Sequence, residues 1–225
     1  MALDDPPTRR DQAGWFEPEP PQSRRGLPRE HPLVRVGSTS DIPKTLDRVH
    51  FRDATPPALP SHPVATNPPA DLVLTPLGGD GRPLEEWLTT FHLGSVVLDP
   101  YTNESAWVLE TGARILAELR GAAVRVNFLV TCDADDARAF LGPLADEFLV
   151  FLDPDRLAVK ALGLSTLPAF IFVRIDGTVP AVAEGWNPTE WRAVADAIAA
   201  TTQWTKPTIP AAGDPAAFAG TPALG

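Results

Sequence analysis

Leu164-Ser165-Thr166-Leu167-Pro168-Ala169-Phe170-Ile171-Phe172-Val173-Arg174-Ile175-Asp176-Gly177, residues 164–177, is the stretch on which the fold turns. Ala169 to Ile175 is a short, mostly apolar run rich in aromatic and β-branched side chains, which predicts a buried strand. Asp176-Gly177 predicts a hairpin turn, because glycine and aspartate tolerate the positive φ that such turns need. The returning strand, Val179 to Glu184, contains Pro180, which has no N–H for a ladder and belongs on an edge or at a bulge. A well-punctuated helix follows. Asn187 caps it, Pro188 takes the first position, Glu190 stands three after the cap, and Trp191, Val194, Ala195, Ile198 and Ala199 form one stripe.

Upstream, short apolar runs alternate with helical patterns. Leu72 to Leu74 reads as a strand, and Pro83 opens a short helix over Leu84 to Thr90 with Leu84, Trp87, Leu88 and Phe91 at helical spacing. Ser95 to Asp99 is a buried strand. A helix runs from about Asn103 to Arg120, capped by Thr102 or Asn103, with Val108, Ile115, Leu116 and Leu119 inward. Gly112 in its middle, a costly residue there, predicts a local irregularity. Val124 to Val130 and Phe148 to Leu152 are further strands, separated by a helix over Ala134 to Leu141 that Asp133 caps and Gly142-Pro143 ends. A short helical segment, Arg156 to Leu162, closes at Gly163.

Composition divides the chain. More than half of its 26 prolines precede Ala70. Segments such as Thr55-Pro56-Pro57-Ala58-Leu59-Pro60 cannot donate to a helix or sheet interior and read as an extended arm. We therefore expect a largely extended or disordered arm and linker over residues 1–69, one domain over 70–203 and a flexible Pro/Ala/Gly-rich tail over 204–225. Within the arm, Trp15-Phe16 could dock on a partner, and Leu33-Val34-Arg35-Val36 alternates like a short strand. The net charge of −10 argues against nucleic acid or anionic lipid as partner. Met1 to Arg10 has no apolar signal core, and no run is long enough to span a membrane. A cytoplasmic protein is expected. One cysteine, Cys132, excludes an intrachain disulfide.

The order β-α-β-α-β-α-β-β-α resembles the thioredoxin-like superfamily, in particular its TlpA/ResA-type and peroxiredoxin branch. The likeness covers residues 70–203. It rests on Val96-Val97-Leu98-Asp99, Phe151-Leu152-Asp153-Pro154-Asp155, Gly163-Leu164-Ser165-Thr166-Leu167-Pro168 and Phe172-Val173-Arg174-Ile175-Asp176-Gly177. It implies a three-layer α/β/α sandwich with a mixed sheet, and a cis peptide at Pro168 facing the active-site helix. The departure lies at residues 102–108. Where the family carries Cys-x-x-Cys, the two cysteine positions fall on Ser105 and near Val108, or, one residue earlier, on Glu104 and Trp107. Thr102-Asn103-Glu104-Ser105 also reads like the peroxiredoxin Thr-x-x-Cys with serine in place of cysteine.

A serine hydroxyl ionises too weakly for thiol exchange and cannot form an S–S bond. His92 is the nearest histidine in sequence and reads as surface or structural rather than as a base for Ser105. The chemistry of the family is thus expected to be absent, and the reading leans against an enzyme. Two functions stay open. One is a redox-inactive protein-binding or assembly module whose groove beside Pro168 receives an extended protein segment, lined by Tyr101, Thr102, Ser105, Trp107, Leu167 and Pro168, with Trp186 adding contact. The other is a single-cysteine oxidoreductase or redox sensor acting through Cys132. Against it, the carboxylates of Asp133, Asp135 and Asp136 raise a neighbouring thiol's pKa. Asp133, Asp135, Asp136, Asp153 and Asp155 read as helix caps and solvated faces, so no metal is implied. Gly78-Gly79-Asp80-Gly81 lacks the Lys-Ser/Thr of a phosphate loop, and no cofactor is implied.

Overall fold

The computed structural model describes residues 66–225, so the expectations for the arm up to 65, Trp15-Phe16 and Leu33 to Val36 among them, lie outside the described residues. In chain order the elements are β1 (Val73–Pro76), β2 (Arg82–Pro83), α1 (Leu84–Trp87), β3 (His92–Leu98) and α2 (Asn103–Leu119). Next come β4 (Val124–Val130), α3 (Ala134–Leu141), α4 (Leu144–Glu147), β5 (Leu149–Leu152) and α5 (Leu157–Ala161). The chain ends with β6 (Thr166–Leu167), β7 (Ala169–Val173), β8 (Ala181–Glu184), α6 (Pro188–Thr202) and β9 (Thr221–Pro222). Seven strands form one sheet in the order β2-β1-β5-β4-β3-β7-β8. The central three, β5, β4 and β3, are parallel, and β7, β8 and β1 pair antiparallel to their neighbours.

The sheet is buried on both faces, which is why its strands read as continuous apolar runs. Side chains alternate across a strand, and β7 displays this directly. Phe170 and Phe172 enter the layer filled by Val108, Ile115, Leu116, Trp191, Val194 and Ile198 from α2 and α6. Ala169, Ile171 and Val173 enter the opposite layer with Leu84, Trp87, Val159 and Leu167. Pro180 precedes β8, the edge strand of the sheet. Among the described residues no helix is long and apolar enough to cross a membrane.

Local chemistry sets the helix starts. The Asp133 carboxylate accepts the Asp135 and Asp136 N–H groups at 3.0 Å, and buried Asp153 accepts those of Ala158 and Val159 at 3.0 and 2.9 Å, so each satisfies orphan donors of a first turn. Asn187 accepts the Thr189 N–H, while its side-chain amide donates to Glu190 at 3.1 Å. Thr102 occupies the N-cap position of α2 but makes no capping bond there. Gly112 brings no irregularity either, since α2 is continuous across it. A Cβ at Gly112 would stand 3.2 Å from the Val96 side chain, so glycine there permits close helix–sheet packing.

Both ends of the expected domain are corrected. Residues before 70 already belong to it: the Thr66 N–H donates to the Leu162 carbonyl at 3.2 Å, and the Asn67 Oδ1 accepts the Val179 N–H at 2.9 Å. The tail beyond 203, expected to be flexible, is folded onto the domain. Trp204 donates its indole N–H to the Glu118 carbonyl at 2.9 Å, Ile209 is buried, and Asp214 accepts a two-pronged bond from Arg114 at 2.9 and 3.0 Å. Backbone and charge contacts hold this segment, which is why its Pro, Ala and Gly content gave no periodic signal.

Candidate functional site

The ends of β3, β4 and β5 lie together at one edge of the sheet, the place where open α/β sheets put ligand sites. Asp99, Thr131-Cys132 and Asp153 follow those strands, tied by the Thr131 N–H to the Leu98 carbonyl at 3.1 Å and the Asp153 N–H to the Val130 carbonyl at 2.8 Å. β7 starts at this edge, since Ala169 pairs with Val97. Pro168, in a cis peptide with Leu167, therefore sits beside the loop that leads into α2.

Ser105 is completely buried. Its Oγ accepts the Asp99 N–H at 2.8 Å and lies 3.1 Å from the Thr102 hydroxyl, which also bonds the Asp99 carbonyl at 3.0 Å. The hydroxyl thus closes the loop between β3 and α2. Thr102 stands at the N-cap position of α2 and Ser105 in its first turn. Val108 is buried in the core. His92 starts β3, at the end opposite Asp99; seven strand residues at ~3.3 Å each separate the two sites by roughly 20 Å. Its Nδ1 accepts the Ile175 N–H at 2.9 Å, and burial together with Arg174 lowers its pKa. The pair needed for a serine nucleophile is not formed by Ser105 and His92.

Asp99 anchors the site. Its carboxylate, 5% exposed as a residue, accepts the Tyr101 N–H at 3.1 Å and the Arg156 guanidinium at 2.8 Å. Cys132 is 2% exposed. Burial first, then the charges of Asp136, Asp133 and Asp99, push its thiol up to about 12. A thiol so placed is protonated at neutral pH, and the thiolate is the reactive form.

The expected groove residues divide into two groups. Tyr101 and Trp107 are 67% and 56% exposed and present apolar surface, the Tyr101 hydroxyl donating to Asp136. That bond is the main reason its phenol is pushed up to about 12. Leu167, Pro168 and Trp186 are buried, so their side chains belong to the core, and Trp186 packs edge-on against Trp191. What Leu167 offers at the surface is its backbone.

That backbone is occupied. Thr221 pairs antiparallel with Leu167, and Pro222 with Thr166. The Ala223 N–H donates to the Ser165 carbonyl at 2.8 Å, and Arg156, still holding Asp99, donates to the Ala223 carbonyl at 2.6 Å. Phe218 exchanges both backbone bonds with Trp186 at 2.9 and 3.0 Å, and its ring meets that of Trp107 edge-on at 5.6 Å. The chain's own tail lies along the groove. Nothing in the tail's composition announced this, and Ala, Gly, Thr and Pro carry no hydrophobic pattern. Among the described residues no group of three or more His, Cys, Asp or Glu side chains is placed to hold a metal ion.

This architecture is thioredoxin-like, without a Cys-x-x-Cys pair. No family model matches the chain, and no curated protein matches it. Solved structures do. A protein described as a thiol:disulfide interchange protein DsbE from Chlorobium tepidum superposes with a TM-score of 0.52 at 17% identity, covering 62% of this chain and 98% of that one. The Xanthomonas campestris bacterioferritin comigratory protein, studied for alkyl peroxide reduction, gives 0.49 at 14% identity over 64% and 98% of the two chains. A secreted Mycobacterium tuberculosis disulfide oxidoreductase homologous to DsbE gives 0.46 at 19% identity over 58% and 96%. At 17% identity what the Chlorobium tepidum protein shares with this chain is the fold.

Proposed function

We propose that this chain is a redox-inactive thioredoxin-fold protein that serves as a binding or assembly module, taking an extended protein segment along the backbone edge beside Pro168. The observation that carries the reading is that this edge already holds an extended strand, paired antiparallel with Thr166 and Leu167. The exposed rings of Tyr101 and Trp107 add apolar contact at its rim. Redox inactivity is supported by Ser105, whose hydroxyl is committed to the loop, and by the buried, protonated Cys132. Those properties of Cys132 weigh against the single-cysteine alternative.

The test is affinity purification from the native host with the full chain and with Tyr101→Ala plus Trp107→Ala, alongside an insulin-reduction assay. A protein retained by the wild type and lost from the double variant, with no reductase activity, is the expected result. The same proteins recovered from both baits, or insulin reduction by the wild type, would remove the reading.

A further inference from the structure

We infer that residues 217–224 are a displaceable internal ligand: they close the Pro168 groove in the free protein, and the partner is an extended segment of the same chemistry, an aromatic residue, two small residues, Thr-Pro and a further small residue. This rests on the binding role proposed above and names its partner class and its control.

The segment is held like a bound peptide rather than like a core strand. Recognition runs through the main chain, in the Ser165, Thr166 and Leu167 ladder and the Trp186–Phe218 bridge. Such strand addition takes affinity from backbone bonds and specificity from alternate side chains. Only Ala223 is buried; Ala219, Pro222 and Leu224 face solvent. A cleft of about 420 Å³ remains between Phe218 and the start of α6, lined by Glu184, Asn187 and Glu190, so the segment is incompletely packed over Ala217 to Ala219.

Its root is different. Buried Ile209 and the Arg114–Asp214 pair fix the chain to α2, which leaves the tip to move about a stationary anchor. The Pro215 carbonyl accepts the Trp186 indole N–H at 2.9 Å, so the tip begins beyond it.

The side-chain requirements follow from close approaches. Gly220, at φ +84°, would place a Cβ 2.5 Å from the Leu167 carbonyl oxygen, so that position accepts only glycine. The Ala223 methyl is enclosed, with Leu167 and Ala169 in the same apolar layer, so the position takes a small residue. Phe218 supplies the ring that meets Trp107. Arg156 reads the carbonyl of the small residue while its other arm holds Asp99. A segment lacking the glycine or the small residue fails to seat, whatever its charge.

The test uses a fluorescein-labelled peptide corresponding to residues 216–225, titrated by anisotropy into the full chain and into full-length Gly220→Val, whose own tail cannot seat. We expect at least tenfold tighter binding by the variant, and no binding of a peptide with valine in place of Gly220. Equal affinity for both proteins, or no binding to either, overturns the inference.

Hydrogen exchange on the wild type provides a readout that does not depend on how the variant folds. The Trp186, Phe218 and Ala223 amides should exchange at least a hundredfold faster than those of β7. Exchange of all of them only with global unfolding makes the tail a fixed part of the fold and overturns displacement. A concentration-dependent wild-type dimer in sedimentation puts a second copy's tail in the partner's place and overturns the partner assignment. If the peptide fails while partner capture still depends on Tyr101 and Trp107, this inference falls and the binding role stands. The reverse pattern removes the binding role and leaves the internal ligand.

Discussion

Cys132 should be alkylated far more slowly in the folded chain than in the unfolded one. The folded thiol is pushed up to about 12 by burial and by Asp136, Asp133 and Asp99. At pH 8 its thiolate fraction is then about 10⁻⁴, against about one in four for a free thiol near 8.5. The more basic thiolate is a better nucleophile, which returns roughly 1.5 of the ~3.4 log units lost. Ionisation alone therefore slows alkylation about eightyfold, and an exposure of 2% slows it further by excluding the reagent. The assay is iodoacetamide at pH 8 followed by intact mass, native and in denaturant. A native rate within a few-fold of the denatured rate would refute both the burial argument and the electrostatic one. The linkage has a definite sign. The folded pKa lies above the unfolded value, so the folded state retains the proton more tightly. The associated stability is fully present below pH ~8.5 and is lost as pH rises toward 12. Cys132→Ala should flatten that alkaline decline in urea titrations.

The chain has one tyrosine, so absorbance at 295 nm reports Tyr101 alone among phenols; its midpoint should lie near 12 and fall toward ~10 in Asp136→Asn, which removes the charge that holds the proton. Ser105→Ala strands the buried Asp99 N–H and should destabilise the fold by about 1–3 kcal/mol in urea unfolding, whereas an unchanged midpoint would mean the loop has another way to close. Asp214→Ala removes the acceptor shared by Arg114, Thr111 and the Ala211 N–H. It should release the root of the tail, seen as faster hydrogen exchange over residues 208–223 and a loss of about 1–3 kcal/mol.

The sheet was legible because each strand carries its burial in its own residues. Val124 to Val130 and Ala134 to Leu141 are observed with the bounds their patterns indicate, and α6 begins at Pro188 behind its Asn187 cap. Elements whose stability comes from elsewhere were not legible. α4 is four residues with no buried member, and β6 and β9 have two residues each and exist through their pairing. In the site, exposure of Tyr101 and Trp107 agrees with a surface role, but Leu167 and Trp186 carry the same apolar label while facing inward. A one-dimensional pattern cannot separate an apolar side chain at the rim of a groove from one beneath its floor. The strand expected from Ser95 instead begins at His92, because the whole run from His92 to Leu98 pairs in register with β4.

The site has two physically separable parts, the loop at the start of α2 and the backbone edge at Thr166 and Leu167. Serine at position 105 leaves the edge at Thr166 and Leu167 untouched, because that edge works through carbonyl and amide groups. In this chain the Ser105 hydroxyl acquires a structural duty, fastening Asp99, while Asp99 positions the Arg156 that grips the tail. The loop fastened by Ser105 and the occupied edge are thus linked through two side chains, Asp99 and Arg156. An unpaired edge is adhesive and needs a cover, and the tail supplies one with few buried side chains and a firmly anchored root. A cover of that kind protects the edge without permanently closing it.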